Sequence, residues 1–224
     1  MSAVQGKETR AEGVYRALRA RLLRGELAPG ARLRPGELAA EYAVSLSVVR
    51  EAVTRLAGQG LVDASPQRGF AVPALSVAEL RDLTRARVLV ETAAFGESIA
   101  RGDVAWESRV LAAHHTLART PPLTAEGHLS EAFEEAHQTF HLALLDGSGS
   151  RHLTAAALSL RDRADLYRHW SMRLAPDPSR DIAAEHRDLA DLAVARAADP
   201  AKALLAAHIE RTAEALAAHV CAVT

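Results

Sequence analysis

Apolar residues recur at helical spacing through most of this chain, and the breaks in that spacing divide it into elements. Val14, Leu18 and Leu22 fall on one face of the segment from Val14 to Leu23, with arginines around the other side, which predicts an amphipathic helix. Arg24-Gly25-Glu26-Leu27-Ala28-Pro29-Gly30 ends it in a turn. Pro35 suits the first position of a second helix, because the N–H it lacks would have no helical partner there, and this helix runs through Leu38, Ala39 and Tyr42. After a break at Ala43-Val44, Ser45 is placed to cap a third helix in which Val49, Ala52, Val53 and Leu56 follow the i, i+3, i+4, i+7 pattern. Gly58 and Gly60 close it. Leu61-Val62-Asp63-Ala64 and Phe70-Ala71-Val72 then flank a turn at Ser65-Pro66-Gln67-Arg68-Gly69 and predict a β-hairpin. Helix, helix, tight turn, helix and hairpin is the outline of a winged helix-turn-helix, a unit whose third helix reads the DNA major groove.

Pro73-Ala74-Leu75 reads as a short linker, which places the expected boundary between residues 1–73 and 74–224. Beyond it the pattern is helical throughout. Ser76 and Glu79 have the spacing of a capping box at the head of a long helix reaching about Ile99. Further helices are predicted at roughly 104–118, 124–146, 151–173, 180–197 and 200–220. Their separators are Thr120-Pro121-Pro122, Asp146-Gly147-Ser148-Gly149, Pro176-Asp177-Pro178-Ser179 and Asp199-Pro200. The expected fold class is mainly α: a winged helix-turn-helix followed by an antiparallel bundle of six or seven helices.

Composition narrows the function classes. Hydrophobic residues make up 49% and charged residues 25%, an ordinary globular balance, so a packed core rather than disorder is expected. The net charge of −1 conceals an asymmetry. Residues 1–73 carry 11 Lys and Arg against 7 Asp and Glu, and the remainder 16 against 21, so a basic head precedes an acidic body. The lone Cys221 excludes an internal disulfide, and with no signal-like or membrane-length apolar segment a cytoplasmic location is expected. Nothing assigns Cys221 a role.

The run from Leu38 to Leu56 (LAAEYAVSLSVVREAVTRL), followed by Gly60-Leu61-Val62 and Gln67-Arg68-Gly69-Phe70-Ala71-Val72, resembles the GntR family of bacterial repressors over about residues 10–73. The usual pattern there is LA, a short gap, GVSRTPVREAL, an EGLV strand and a wing with an RG tip. Physical reasoning assigns roles to the same positions. Arg50 lies one turn into the third helix, opposite Ala52 and Val53, where a guanidinium reaches a phosphate or a guanine edge. The alternative is an exposed arginine paired with a carboxylate. Ser45 and Ser47 open that helix, where hydroxyls and free backbone N–H groups favour phosphate. Arg68 and Gly69 form a cationic wing tip that can approach the minor groove. Two departures stand out: Leu46 and Gly36 occupy positions where the family commonly has arginine, and Arg34 is a nearby substitute.

Ten histidines are many for 224 residues. His137 and His141 share a stripe with Phe133, Phe140 and Leu144; His186 lies with Ile182, Leu189 and Ala193; His208 lies with Leu204, Leu205 and Thr212. Four imidazoles turned into one bundle interior make a site for a borderline divalent metal such as zinc or nickel, unless each is a buried histidine satisfied by a backbone carbonyl. Phe140-His141-Leu142-Ala143-Leu144, Glu185-His186-Arg187 and His208 also resemble the FadR-like subfamily over about residues 76–220. The C-terminal FCD-type effector domain of that subfamily often binds metal through one Asp and three His. His137 stands where the Asp is usual, which disfavours hard cations and puts the metal itself in question. Arg87 shares a face with Leu83, Val90 and Ala94, near where a family arginine faces the effector. An inward arginine needs an anion, either a carboxylate effector or Glu91 at i+4. Arg163 and Tyr167 are further candidates for the effector cavity.

Together these readings predict a ligand-responsive transcriptional regulator, more often a repressor in this family, binding a palindromic operator as a homodimer. Two alternatives remain at this level. One is a histidine-rich helical metalloenzyme, although there is no HExxH, phosphate loop or nucleophile elbow. The other is an interaction module that has lost DNA binding.

Overall fold

The computed structural model describes residues 9–74, 76–124, 130–174 and 180–223. Residues 125–129, the linker residue Leu75 and the separator at 176–179 lie outside these residues; the helix expected from 124 is not yet formed at Thr124 and is helical from Glu131, after the Ser130 cap. The chain forms two compact units, Met1–Ser76 and Val77–Thr224.

The first unit consists of α1 (Arg10–Leu23), β1 (Arg32–Leu33), α2 (Pro35–Glu41), α3 (Leu46–Gly58), β2 (Asp63–Ser65) and β3 (Gly69–Ala71). Helix α1 starts a turn earlier than its apolar stripe suggests, because the Thr9 side chain accepts the Glu12 N–H and caps it. Its Leu18 and Leu22 pack with Val49, Val53 and Leu56 of α3, all at most 1% exposed. Burial of each such side chain contributes about 1.5–3 kcal/mol, so this one seam accounts for much of the unit's cohesion. A polar clasp secures its rim: the Arg55 guanidinium lies 3.9 Å over the Tyr15 ring, and the Tyr15 hydroxyl donates to Gln59 at 2.8 Å.

Strand β1 was not expected. It joins the hairpin to make a three-stranded antiparallel sheet in the order β1-β3-β2, with Leu33 opposite Phe70 and Ala64 opposite Phe70 on the other side. The wing is thus anchored to the segment that leads into α2. Gly69, at φ 75°, supplies the left-handed residue that the hairpin tip requires.

The second unit contains α4 (Val77–Arg101), α5 (Val104–Arg119), α6 (Glu131–Asp146), α7 (Arg151–Leu174), α8 (Ile182–Val194) and α9 (Ala198–Val223). Asp103, Ser130 and Asp181 cap α5, α6 and α8, each side chain accepting a first-turn N–H. Helix α4 packs along α9 and α7, and α5 along α6 and α8. Phe95, Trp106, Phe140, Leu144, Leu189 and Leu205 form the centre of the core. Trp106 satisfies its indole N–H by donating to the Ala143 carbonyl at 2.8 Å, so its buried ring leaves no polar atom unpaired. No helix among the described residues is long and apolar enough to cross a membrane.

Candidate functional site

In the first unit, α2 and α3 meet through the turn at Ala43, which takes φ 51° to reverse the chain within a few residues. This turn leaves Ser45, Leu46, Ser47 and Arg50 exposed at the start of α3, while Val49, Ala52, Val53 and Leu56 hold the opposite face in the core. Arg50 makes no ion pair among the described residues, so its charge is available to a phosphate or base. Ser45 occupies the N-cap position, but its side chain makes no capping hydrogen bond and sits 2.9 Å from the Ser47 hydroxyl. The first N–H groups of α3 are therefore not covered by that side chain, as an anion-binding helix start requires. Arg34 precedes α2 and pairs with Glu37 at 2.7 Å, both groups being about two-thirds exposed. Such a pair is worth little in water and yields readily to a phosphate. Arg68 and Gly69 are exposed at the wing tip.

In the second unit, His137 and His141 of α6, His186 of α8 and His208 of α9 converge. All four are buried, and one ring nitrogen from each lies within 4.8 Å of the others. The one-turn spacing of His137 and His141 brings their ring centroids to 4.5 Å, and His186 and His208 close the group at 5.0 Å. Burial, reinforced by the Arg161 charge and the neighbouring rings, holds His141 well below the ordinary histidine range. His186 is pushed down to about 2, chiefly by burial and then by His208. Burial also lowers His208, against the pull of Glu185. These three imidazoles are thus neutral near pH 7, the form that donates a lone pair. His141 Nε2 and His186 Nε2 are buried and make no hydrogen bond. Uncompensated burial of such nitrogens is costly, and a coordinated dication removes the cost, so the donor set fits a borderline metal.

The histidines stand in the wall of a cavity of about 460 Å³, within the range that takes a small organic ligand. Leu80, Leu83, Leu117 and Phe133 give it an apolar side, and Arg87, Arg161, Arg180 and Arg211 a cationic one. Two carboxylates organise these arginines. Glu91, with no exposed surface, accepts from Arg87 Nε at 2.8 Å and from Arg161 at 2.6 Å. Burial alone would raise its carboxyl, but the two guanidinia outweigh that and hold it below the usual range. Glu185 takes two hydrogen bonds from Arg180, at 2.9 and 2.6 Å, one from Arg211 at 3.0 Å and one from His208 Nδ1 at 2.7 Å. These partners likewise overcome its burial and keep it ionised. Asp165 accepts from Gln138 at 2.6 Å. The cavity carries more guanidinium than carboxylate charge, as an anion-binding site requires.

Comparison with known proteins decides the family. Residues 10–72 match the model of the bacterial regulatory proteins of the gntR family, and residues 82–211 match the FCD domain. The chain is 35% identical over 201 residues to the HTH-type transcriptional regulator BphR of Paraburkholderia xenovorans, covering 89% of this chain and 82% of that one. This chain belongs to the GntR family. It is also 32% identical over 198 residues to the HTH-type transcriptional repressor GlaR of Escherichia coli, covering 87% of this chain and 90% of that protein. Among solved structures, a GntR regulator from Rhodococcus sp. RHA1 superposes with a TM-score of 0.69 at 25% identity, over 93% of this chain and 98% of that one. Escherichia coli McbR/YncC shares the fold, with a TM-score of 0.73 at 21% identity, over 94% and 98% of the two chains. This GntR-family chain is accordingly a transcriptional regulator with an effector-binding FCD domain. The matched families and relatives are regulators and not enzymes, which sets the metalloenzyme alternative aside.

For this GntR regulator, the structure brings together the four histidines, Arg87 and Tyr167 around one cavity. It does not bring Arg163 there: that guanidinium pairs with Glu79 at 2.8 Å. Four participants escaped the sequence reading, namely Arg161, Arg180, Glu185 and Arg211. Arg161 meets Glu91 across 70 positions of sequence, a pairing that no local pattern announces. Glu185 had one signal, its adjacency to His186.

Proposed function

We propose that this protein is a ligand-responsive repressor that binds a palindromic operator as a homodimer. Residues 1–73 are the DNA-binding domain, and residues 74–224 serve effector binding and dimerisation. DNA is held by the Arg34, Ser45, Ser47 and Arg50 face and by the Arg68-Gly69 wing tip. Repression is favoured by the 32% identity to GlaR, itself named a repressor.

The observation that carries the sensing half is the four-histidine cluster in the wall of an arginine-lined cavity. His137, His141, His186 and His208 would hold a divalent metal, zinc or nickel in preference to magnesium or calcium, because the donors are all imidazole nitrogens and include no carboxylate. When bound, that metal supplies a Lewis-acidic positive charge facing the cavity. The chain's own residues do the rest. Arg87 and Arg161 share Glu91, leaving guanidinium N–H groups beyond those it occupies for an effector carboxylate. Tyr167, 3% exposed, lines the same cavity, and Leu80, Leu83 and Phe133 shield it from water. Binding there changes DNA affinity through linkage between the two sites.

Fluorescence anisotropy on duplex DNA from upstream of the protein's own gene tests this reading, using zinc-loaded and chelator-stripped protein with a panel of small carboxylates. Specific binding that a carboxylate weakens only in the zinc-loaded form is expected, with Arg50→Ala losing specific binding. Absence of specific binding, or an Arg50→Ala variant that binds like the wild type, contradicts it.

A further inference from the structure

Glu185 lies outside the four-histidine set yet touches one member of it. Its Oε2 is 2.7 Å from His208 Nδ1. An ionised carboxylate only accepts, so this contact places the proton on Nδ1 and leaves Nε2 with a bare lone pair. Arg180 also approaches Nδ1, at 3.2 Å, but a guanidinium only donates and cannot share a nitrogen that already carries its proton. Its hydrogen bonds go instead to Glu185, to the His208 carbonyl at 2.9 Å and to the Thr212 hydroxyl at 2.8 Å. Arg180 therefore grips the carboxylate and the backbone of the histidine at once. Arg211 adds a third donor to Glu185. A carboxylate held from three directions has little freedom to rotate away from the ring.

We infer that Glu185 is a positioning residue, which fixes the tautomer and orientation of His208 so that its Nε2 serves the site formed with His137, His141 and His186, and that Arg180 is the clamp holding Glu185 in place. The inference rests on the metal reading above. A salt bridge that merely ties the start of α8 to α9 would stabilise the fold without governing which ring nitrogen is protonated. Metal-binding histidines depend on such outer partners, whose loss weakens affinity by about 10–100-fold.

Two measurements test it. Long-range proton–nitrogen NMR correlation on the metal-free, nitrogen-15-labelled chain should show His208 protonated on Nδ1 in the wild type, and on Nε2 or mixed in Glu185→Ala. Zinc affinity, measured against a chromophoric chelator, should fall about 10–100-fold in Glu185→Ala. Glu185→Gln should recover most of it, since its amide oxygen still accepts from Nδ1. Wild-type His208 protonated on Nε2 overturns the inference, as does a folded Glu185→Ala that binds zinc as tightly as the wild type. If Glu185→Ala does not fold, the wild-type tautomer decides alone. A wild-type protein that binds no zinc overturns the metal reading and this inference together, whereas unchanged affinity in Glu185→Ala overturns only the inference.

Discussion

Leu46 and Gly36 face solvent at the starts of α3 and α2, on the face proposed to meet DNA. Leu46 is 45% exposed, and a side chain added at Gly36 meets no atom within 4 Å. Each phosphate contact steepens the dependence of log affinity on log salt by about 0.9, so the Gly36→Arg, Leu46→Arg double variant should add about 1–2 to that slope and bind DNA more tightly at low salt. An unchanged slope would place these positions off the DNA face. Glu91 presents the opposite case, a charge with no access to water. Removing it in Glu91→Ala leaves two inward guanidinia without their shared anion, and denaturant unfolding should show a loss of about 3–5 kcal/mol. Its carboxyl is held below the ordinary value near 4.5, so the folded state binds that proton less readily than the unfolded chain. The stabilisation is therefore present above pH 4.5 and is lost as the pH falls below it. Glu91→Gln, weaker at pH 7, should show a shallower loss of stability between pH 5 and 3. At this scale the inward faces of His137, His141, His186 and His208 were legible because each lies at helical spacing from apolar neighbours. Arg161, Arg180 and Glu185 were not, because a buried charge is stabilised by partners on other helices that only the fold supplies.

The helix-turn-helix depends on one strained position. Ala43 follows α2 at φ 51°, where the Val44 N–H returns to the Ala39 carbonyl at 3.0 Å and closes the helix end. A left-handed backbone costs a non-glycine residue about 1–2 kcal/mol, and the greater unfolded freedom of glycine gives back about 0.4–1. Ala43→Gly should thus raise the unfolding midpoint of the first unit by an amount equivalent to about 1 kcal/mol or less. A lower midpoint would mean that the alanine methyl packs usefully. The major helices were readable from apolar periodicity, since each buries a stripe against a neighbour. Strand β1 was not: two residues cannot display an alternating pattern, and its existence depends on β3 lying alongside. The hairpin was anticipated, although its strands are shorter than the apolar runs because Leu61, Val62 and Val72 enter the core beyond the paired residues.

Across the whole chain, charge and chemistry are divided in the same way. The first unit holds the basic surplus and the exposed face of α3, and the second holds the acidic surplus and a cavity with four buried histidines in its wall. Membership of the GntR family accounts for that division, and the proposed metal site, with His137 where the family pattern has an aspartate, would be built wholly of nitrogen donors. The most direct test is a zinc titration of purified, chelator-stripped protein, monitored by calorimetry and checked by elemental analysis. One zinc per chain is expected, with His141→Ala or His186→Ala abolishing tight binding while the helical content is retained. Stripped wild-type protein that takes up no zinc, or the same tight stoichiometric uptake in both histidine variants, would contradict the account.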